Sequence, residues 1–376
     1  MSYIGIGLIN RNLIPIFLGC IFCFLNRILN QYKDTLLFQN PILTNIFISI
    51  SHIFTFIPYI IFTIRTKPLI DNDNKIEFTK TDKKFAFIYT NIDLKIVKGK
   101  VKYIIFSSLL YFITSIIFVY TFEIKTNSGN LFIFAATVFY YYIFKIKLYK
   151  HHYLSIIIIL LMGLIIDLVF ENLQNEIIHN FVLLVLSCLR IVLLSFYYVI
   201  VKYIMEKKFA SVYEITFFNG LINFVLMIIL AIIDYYFIQI FEYKEYFYSF
   251  DIKELLIVLG VMVTQLGIYI CIVISSKFFS PCHAFIIFVF GHLAYYLYNF
   301  ELTVRSIIAI ICIFIIIFFS LVFNEIIEIN CWQLSYNLKR NITNRSESES
   351  DKSLIMKSET IESENLIELG EAINDD

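Results

Sequence analysis

Arg190 is the residue of this sequence whose side chain most needs a chemical explanation. It stands in the apolar stretch FVLLVLSCLRIVLLSFYYVIVKYI, residues 181–204, which has the length of a membrane-spanning helix. At about 1.5 Å of rise per residue, the charge lies about 14 Å along this helix, near the middle of a bilayer. A charge there costs roughly 3 kcal/mol on insertion scales. We expect Arg190 to meet a water-filled cavity or an anionic solute; the alternatives are that it reaches the membrane interface or pairs with Asp167.

Four amide side chains also stand inside apolar runs, where a polar solute needs groups that replace its water. Asn219 and Asn223 are four residues apart, so a helix places them on the same side. Hydrogen bonds between helices are the commoner use of such residues. The residues we predict to bind a solute are Asn26, Arg190, Asn219, Asn223 and Gln265.

No pattern of residues predicts catalysis. The sequence has no G-x-S-x-G, no H-E-x-x-H, no phosphate-binding glycine loop and no pair of acids spaced for proton transfer. His151 and His152 stand in a basic turn without another metal ligand nearby in the sequence. Cys20 and Cys23 form a CxxC inside an apolar run and are interpreted as small buried residues. We therefore predict neither an enzyme, nor a metal site, nor a cofactor.

The composition places these residues in a membrane protein. Hydrophobic residues make up 59% of the 376-residue chain and charged residues 16%, which is well below the usual quarter in soluble domains. The apolar residues come in blocks of about 18–25, the length of membrane helices, without the alternation of a membrane barrel. The formal net charge is zero, so composition indicates no nucleic-acid partner.

Ten spans are predicted from these blocks. A long polar loop, residues 65–102, follows the second span, and the later breaks are short, which favours antiparallel neighbours. The predicted spans are 13–31, 42–64, 101–121, 129–146, 153–170, 180–202, 211–238, 255–275, 281–299 and 305–324.

The basic residues predict the orientation of the spans. If the N-terminus is cytoplasmic, 23 Lys and Arg residues fall on the cytoplasmic side and six on the other, with Arg190 inside the membrane. Cytoplasmic loops carry the excess of Lys and Arg in membrane proteins. The bias therefore predicts an even number of spans with both termini in the cytoplasm.

The spacing of spans and breaks repeats after about 154 residues. The third span (101–121) then falls on the eighth (255–275), and residues 147–167 fall on residues 301–321. Five spans repeated once have opposite orientations, because five is odd. Inverted repeats of this kind are typical of secondary transporters, which bind substrate near the midplane between the halves.

Four stretches resemble the drug/metabolite transporter superfamily, in its EamA-like and nucleotide-sugar-transporter-like branch. LNRILNQYKDTLLFQNPIL (25–43) resembles the first helix, with Asn26 at its asparagine, and the entry to the second. The other stretches are YYIFKIKLYKHHYLSIIIILLMGLII (141–166), SCLRIVLLSFYYVIVKYIMEKKFASVYEITFFNGLINFVL (187–226) and LVFNEIIEIN (321–330).

The resemblance implies an all-α membrane protein of ten transmembrane helices in two inverted five-helix repeats, residues 12–170 and 180–330. It further implies a secondary-active transporter of a small polar or anionic metabolite, such as a nucleotide-sugar, sugar phosphate, amino acid or peptide. The alternative is a multi-pass receptor or scaffold that transports nothing. The expected partners are the lipid bilayer and a small-molecule substrate, and a homodimer is left open.

From about residue 340 the chain is acidic, serine-rich and poor in aromatics, which predicts a disordered cytoplasmic tail over 340–376. Within it, Glu362, Leu366 and Ile367 fit the acidic dileucine pattern that sorting adaptors bind in endosomes and lysosomes. Chance is the alternative for so loose a pattern. We expect the membrane to be intracellular, that of the Golgi, the endosome or lysosome, or the vacuole.

Overall fold

The fold was analysed in a computed structural model of the chain. The structure describes residues 4–6, 14–29, 40–65, 69–70, 75–77, 92–93, 100–121, 130–145, 148–170, 177–208, 210–238, 252–298 and 303–329. The acidic tail, with Glu362, Leu366 and Ile367, lies outside these residues, as does most of the polar loop after the second predicted span.

Eleven α-helices make up nearly all of the described chain. A π-helical turn, Asp234–Ile238, extends the eighth helix, and a 3-10 turn, Pro281–His283, precedes the tenth. The helices are α1 (Ile14–Leu29), α2 (Pro41–Ile53), α3 (Phe56–Arg65), α4 (Lys100–Tyr120), α5 (Leu131–Phe144), α6 (Lys150–Phe170), α7 (Ile177–Lys207), α8 (Val212–Ile233), α9 (Ile252–Phe278), α10 (Ala284–Tyr298) and α11 (Val304–Phe323).

Six helical segments of the described residues are long and apolar enough to cross a membrane. They are Pro41–Ile61, Lys100–Tyr120, Val182–Lys207, Val212–Ile238, Glu254–Phe278 and Val304–Phe323. Four shorter apolar helices accompany them, at Ile14–Leu29, Leu131–Phe144, Lys150–Ile166 and Pro281–Ala294. The ten predicted spans coincide with these ten segments. The prediction of a helical protein with several membrane spans is confirmed at this level.

The second predicted span, 42–64, is broken in the middle. Helix α2 ends at Ile53 and α3 begins at Phe56, with the break four residues before Pro58. Proline has no N–H to donate to the carbonyl four residues earlier, and its ring crowds that carbonyl. The hydroxyl of Thr55 occupies part of the opened turn, because it donates to the carbonyl oxygen of His52 at 2.6 Å.

Among the described residues, five strands of two or three residues lie outside the helices. β2 (Leu69–Ile70), β3 (Lys75–Glu77) and β4 (Ile92–Asp93) form one small antiparallel sheet. β1 (Ile4–Ile6) precedes α1, β5 (Ile327–Ile329) follows α11, and the two pair antiparallel with Gly5 opposite Glu328. The two ends of the helical body therefore meet at one end of the molecule.

The helices pack mainly against partners that are distant in the sequence. α1 packs against α9 and α10, and α7 packs against α4 and α5. α2 lies along α8 and touches α9, while α8 also packs against α4. In addition, α11 packs against α6 and α10. The helices before residue 171 thus pack mainly against helices after residue 176.

Charged side chains join helix ends near the loops. Lys100, at the start of α4, lies 2.8 Å from a carboxylate oxygen of Glu214 in the first turn of α8. Lys202 donates from Nζ to the carbonyl oxygens of Ser276 (2.9 Å) and Phe279 (2.7 Å) at the end of α9. These carbonyls have no partner inside their own helix, and a cation there is favoured by the helix dipole. With these contacts Lys202 is only 2% exposed. It lies inside α7, because this helix extends to Lys207, whereas the predicted span ended at residue 202.

Candidate functional site

Five helices bring polar side chains together in the interior, in what we term the central polar cluster: His52, Ser108, Tyr197, Asn219 and Tyr269. Asn219, from α8, is fully buried and lies at its centre. Its Oδ1 accepts from the Ser108 hydroxyl at 2.5 Å, and its Nδ2 donates to the hydroxyls of Tyr197 (2.5 Å) and Tyr269 (2.8 Å). These two tyrosine hydroxyls also bond to each other. One amide thus links α4, α7, α8 and α9.

Aromatic rings close the cluster on the side of α2. The His52 ring lies with its centroid 4.4 Å from that of Tyr269 and 6.1 Å from that of Tyr111. The Tyr111 ring in turn lies 5.3 Å from Tyr197. Nδ1 of His52 is buried without a hydrogen-bond partner among the described residues. The cluster therefore holds one buried polar atom whose hydrogen-bonding capacity the described residues leave unused.

Asn223, one turn further along α8, makes a separate contact with α2. Its Nδ2 donates to the Ser49 hydroxyl at 2.6 Å, while its Oδ1 has no partner among the described residues. Between the two asparagines, Gly220 lets the helices touch, because a Cβ there would lie 2.6 Å from Cβ of His52 and 2.9 Å from the Ser49 carbonyl oxygen. Small residues permit this close approach between membrane helices.

Arg190 lies apart from the central polar cluster, on the same face of α7. Its guanidinium carbon stands 5.1 Å from the centroid of the Phe118 ring of α4, a cation–π distance. The side chain is half-buried, and its Nε has no hydrogen-bond partner among the described residues. None of the ion pairs between described side chains includes Arg190. The side chain of Asp167, the structural partner considered above, lies outside the described residues.

The helical repeat gives the separation between Arg190 and the cluster. Arg190 and Tyr197 are seven residues apart on α7, and their ring partners Phe118 and Tyr111 are seven apart on α4. Two turns of helix correspond to a rise of about 10 Å. Arg190 and the cluster therefore form two layers along one interface between antiparallel helices.

Asn26 and Gln265 belong to a third place, between α1 and α9. Oδ1 of Asn26 accepts from the hydroxyl of Thr264 at 2.9 Å, and Asn26 is 5% exposed. Gln265, the next residue of α9, is half-buried. The predicted substrate-binding residues thus occupy three positions in the bundle rather than one.

Neither a protein-family model nor a curated protein matches the chain. The interpretation of these three positions therefore depends on their geometry.

The sequence reasoning missed most partners in the cluster. Ser108, Tyr197 and Tyr269 carried no signal, because the chain has 26 tyrosines and serine is common in helices of this kind. His52 was a stronger signal, since an ionisable residue inside an apolar run is a default functional candidate. The statement that His151 and His152 have no further metal ligand nearby holds only along the sequence and is wrong in space. Their ligand atoms and a carboxylate oxygen of Glu325 all lie within 4.8 Å of one another.

Proposed function

We propose that the chain is a secondary-active transporter that moves a small polar or anionic metabolite by alternating access of two inverted five-helix halves. The observation that carries the proposal is the central polar cluster. It collects hydrogen-bonding groups from α2 and α4 of the first half and from α7, α8 and α9 of the second. Polar groups are costly inside a membrane and mark substrate paths there.

The pattern of helix packing supports two related halves. If α1, the pair α2 and α3, α4, α5 and α6 correspond to α7, α8, α9, α10 and α11, the most extensive helix contacts have counterparts. The contact of α1 with α9 corresponds to that of α7 with α4, and the contact of α1 with α10 to that of α7 with α5. The contacts of α2 with α8 and of α6 with α11 each correspond to themselves. A two-fold relation between inverted repeats has these consequences.

Contacts at one end of the bundle support an even number of spans. The pairing of β1 with β5 brings together the residues that flank the first and last helices. Lys100 with Glu214, and Lys202 with the end of α9, join further helix ends that the ten-span topology places on one side. We propose that this side is the cytoplasm, as the 23-to-six count of basic residues predicts.

Arg190 supplies the positive charge for an anionic substrate in this proposal. A guanidinium binds a carboxylate or phosphate through two parallel hydrogen bonds, which an ammonium cannot reproduce. The amides of Asn26, Asn223 and Gln265 supply neutral groups that replace water around the rest of the solute. Asn219, whose amide bonds only to protein side chains, holds the surrounding helices together. The break between α2 and α3 lies beside His52, and broken helices commonly line the sites of such carriers.

Uptake into proteoliposomes tests the proposal, with panels of nucleotide-sugars, sugar phosphates, amino acids and peptides. We expect saturable uptake of at least one class, its loss in Arg190→Ala, and only partial rescue in Arg190→Lys. The matched control is Arg305→Ala, because Arg305 is an exposed arginine at the start of α11. Its uptake is expected to equal that of the unchanged protein.

Two results contradict the proposal. Arg190→Ala could lose both folding and uptake, and the double variant Arg190→Ala with Asp167→Ala could recover both. In that case the arginine is one half of a structural pair and binds no substrate. If the folded protein transports no member of any panel, the chain is better explained as a multi-pass receptor or scaffold.

A further inference from the structure

Two adjacent histidines and one glutamate meet at the end of the bundle where β1 pairs with β5. His151 and His152 lie in the first turn of α6, and Glu325 lies just after α11. The two imidazole rings have centroids 4.0 Å apart. One nitrogen from each ring and one carboxylate oxygen all lie within 4.8 Å of one another.

His151 is the least satisfied member of this group. It is 2% exposed, and neither of its ring nitrogens has a hydrogen-bond partner among the described residues. Burying a polar group without a partner is costly. Its Nε2 lies 3.4 Å from Oε1 of Glu325 without the geometry of a hydrogen bond. Two ligands about 2.0 Å from a tetrahedral ion are about 3.3 Å apart, so this separation matches the edge of a metal site.

Glu325 has an unusual backbone for its residue type. Its φ is 56°, in the left-handed region that favours glycine. Ile326 N–H donates to the carbonyl of Leu321 at 2.9 Å and Glu325 N–H to that of Val322 at 3.1 Å, which are the two bonds of a Schellman motif. Glycine is the usual residue at this position of the motif. A glutamate here bears backbone strain, and the motif turns its carboxylate toward His151.

We propose that His151, His152 and Glu325 bind a divalent transition-metal ion of the zinc type. Two imidazoles and one carboxylate are the nitrogen and oxygen ligands that zinc accepts, and three protein ligands leave a fourth position for water or a further donor. The ion satisfies His151 and gives the strained glutamate a ligand role.

Metal binding would change the hydrogen bonding of His152. Its Nδ1 now accepts the Tyr149 N–H at 3.2 Å. Ligation through Nδ1 replaces this hydrogen bond, and ligation through Nε2 moves the ring proton to Nδ1 and also breaks it. The Tyr149 N–H, which precedes α6, is then released.

The ion joins α6 to α11, which pack against each other along the bundle. The proposed metal site is independent of the proposed transport function, because metal binding can be measured without a transport assay.

Zinc titration of the purified full-length protein, first stripped with a chelator, tests the site. We expect one Zn²⁺ per chain by calorimetry and elemental analysis, and Co²⁺ substitution should give absorption bands typical of nitrogen and oxygen ligands. Glu325→Gly removes the carboxylate while installing the residue that the left-handed position favours. His151→Gln removes the buried imidazole. His283→Gln is the control, because His283 is a buried histidine outside this group whose Nδ1 already bonds to Ser280.

Glu325→Gly and His151→Gln should each weaken Zn²⁺ binding at least about 100-fold, beyond what loss of an outer partner of a ligand costs. Metal-free Glu325→Gly should melt no lower than the unchanged protein, which separates lost binding from lost folding. The proposal is overturned if the protein binds no Zn²⁺, or if Glu325→Gly binds it as tightly as His283→Gln does. In either of those cases the three side chains form only an ion pair between histidine and glutamate.

Discussion

Asn219 and Arg190 show two different ways of carrying a polar group in an apolar interior. The amide of Asn219 uses its oxygen and both N–H groups on protein partners from three other helices. The guanidinium of Arg190 faces a phenyl ring and keeps a buried N–H without a partner among the described residues. The first residue has the contacts of a structural tie, and the second those of a group that still has hydrogen bonds to offer.

Asn219→Ala should destabilise the protein more than Asn223→Ala. Hydrogen bonds between membrane helices average about 0.6 kcal/mol, so three bonds at Asn219 amount to about 2 kcal/mol against about 0.6 kcal/mol for the one bond of Asn223. Unfolding in mixed detergent micelles measures the difference, and the two asparagines are matched in residue type, helix and burial. Equal losses would show that the cluster adds nothing to stability beyond a single contact.

The sequence was sufficient to identify candidate polar residues inside the membrane helices but not the residues to which they bond. An amide inside an apolar run is visible in one dimension, and all five predicted residues are indeed in helices. Their hydrogen-bond partners lie up to 238 residues away in the sequence, and one residue of register turns a side chain by about 100° around the axis. Asn219 and Asn223, which their four-residue spacing places on the same side of α8, bond to different helices: Asn219 to α4, α7 and α9, and Asn223 to α2.

At the level of the helices, α2 and α8 approach each other closely at Gly220. The apolar runs predicted both helices because length and hydrophobicity suffice for that. They did not predict the break before Pro58, since a proline within an apolar run is compatible with a kinked span as well as with two helices. The contact at Gly220 depends on the crossing of the two helices, which no single run encodes.

Gly220→Ala should destabilise the pair α2 and α8 by about 1–3 kcal/mol, the usual cost of overpacking. The new methyl group would meet the backbone of α2, which cannot move alone. Gly260→Ala on α9 is the matched control: its Cβ would lie 3.0 Å from the flexible end of Leu29, which can rotate away. Thermal melting in detergent compares the two. A Gly220 variant as stable as the Gly260 variant would show that the approach at Gly220 is not tight.

For the whole molecule, the pairing of β1 before the first helix with β5 after the last is the feature that limits the topology. The count of basic residues predicted both termini on the cytoplasmic side, although Lys202, one of those counted, lies buried against the end of α9 rather than in a loop. The sides of the membrane can be assigned by labelling.

Single cysteines should show the sidedness directly, in a protein with its native cysteines removed. Lys83→Cys and Ser348→Cys, both outside the described residues, should react with an impermeant reagent only from the cytoplasmic side, because the distribution of Lys and Arg over the chain assigns both segments to that side. Ser128→Cys, between α4 and α5, serves as the opposite control and should react only from the other face. Residues 83 and 348 on different faces would exclude an even number of spans.

The pairing of β1 with β5 also has a consequence for folding during synthesis. About 320 residues of chain separate the two strands, and synthesis adds about 5–20 residues per second. The first strand is therefore made roughly 15 to 65 s before its partner exists, and α1 likewise waits for α9 and α10. During that interval the newborn N-terminal helix has only lipid, the translocon or a chaperone to cover the face that later contacts the second half. A ribosome that stalls before α9 therefore leaves a chain whose earliest helix has met neither of these partners, with that face uncovered.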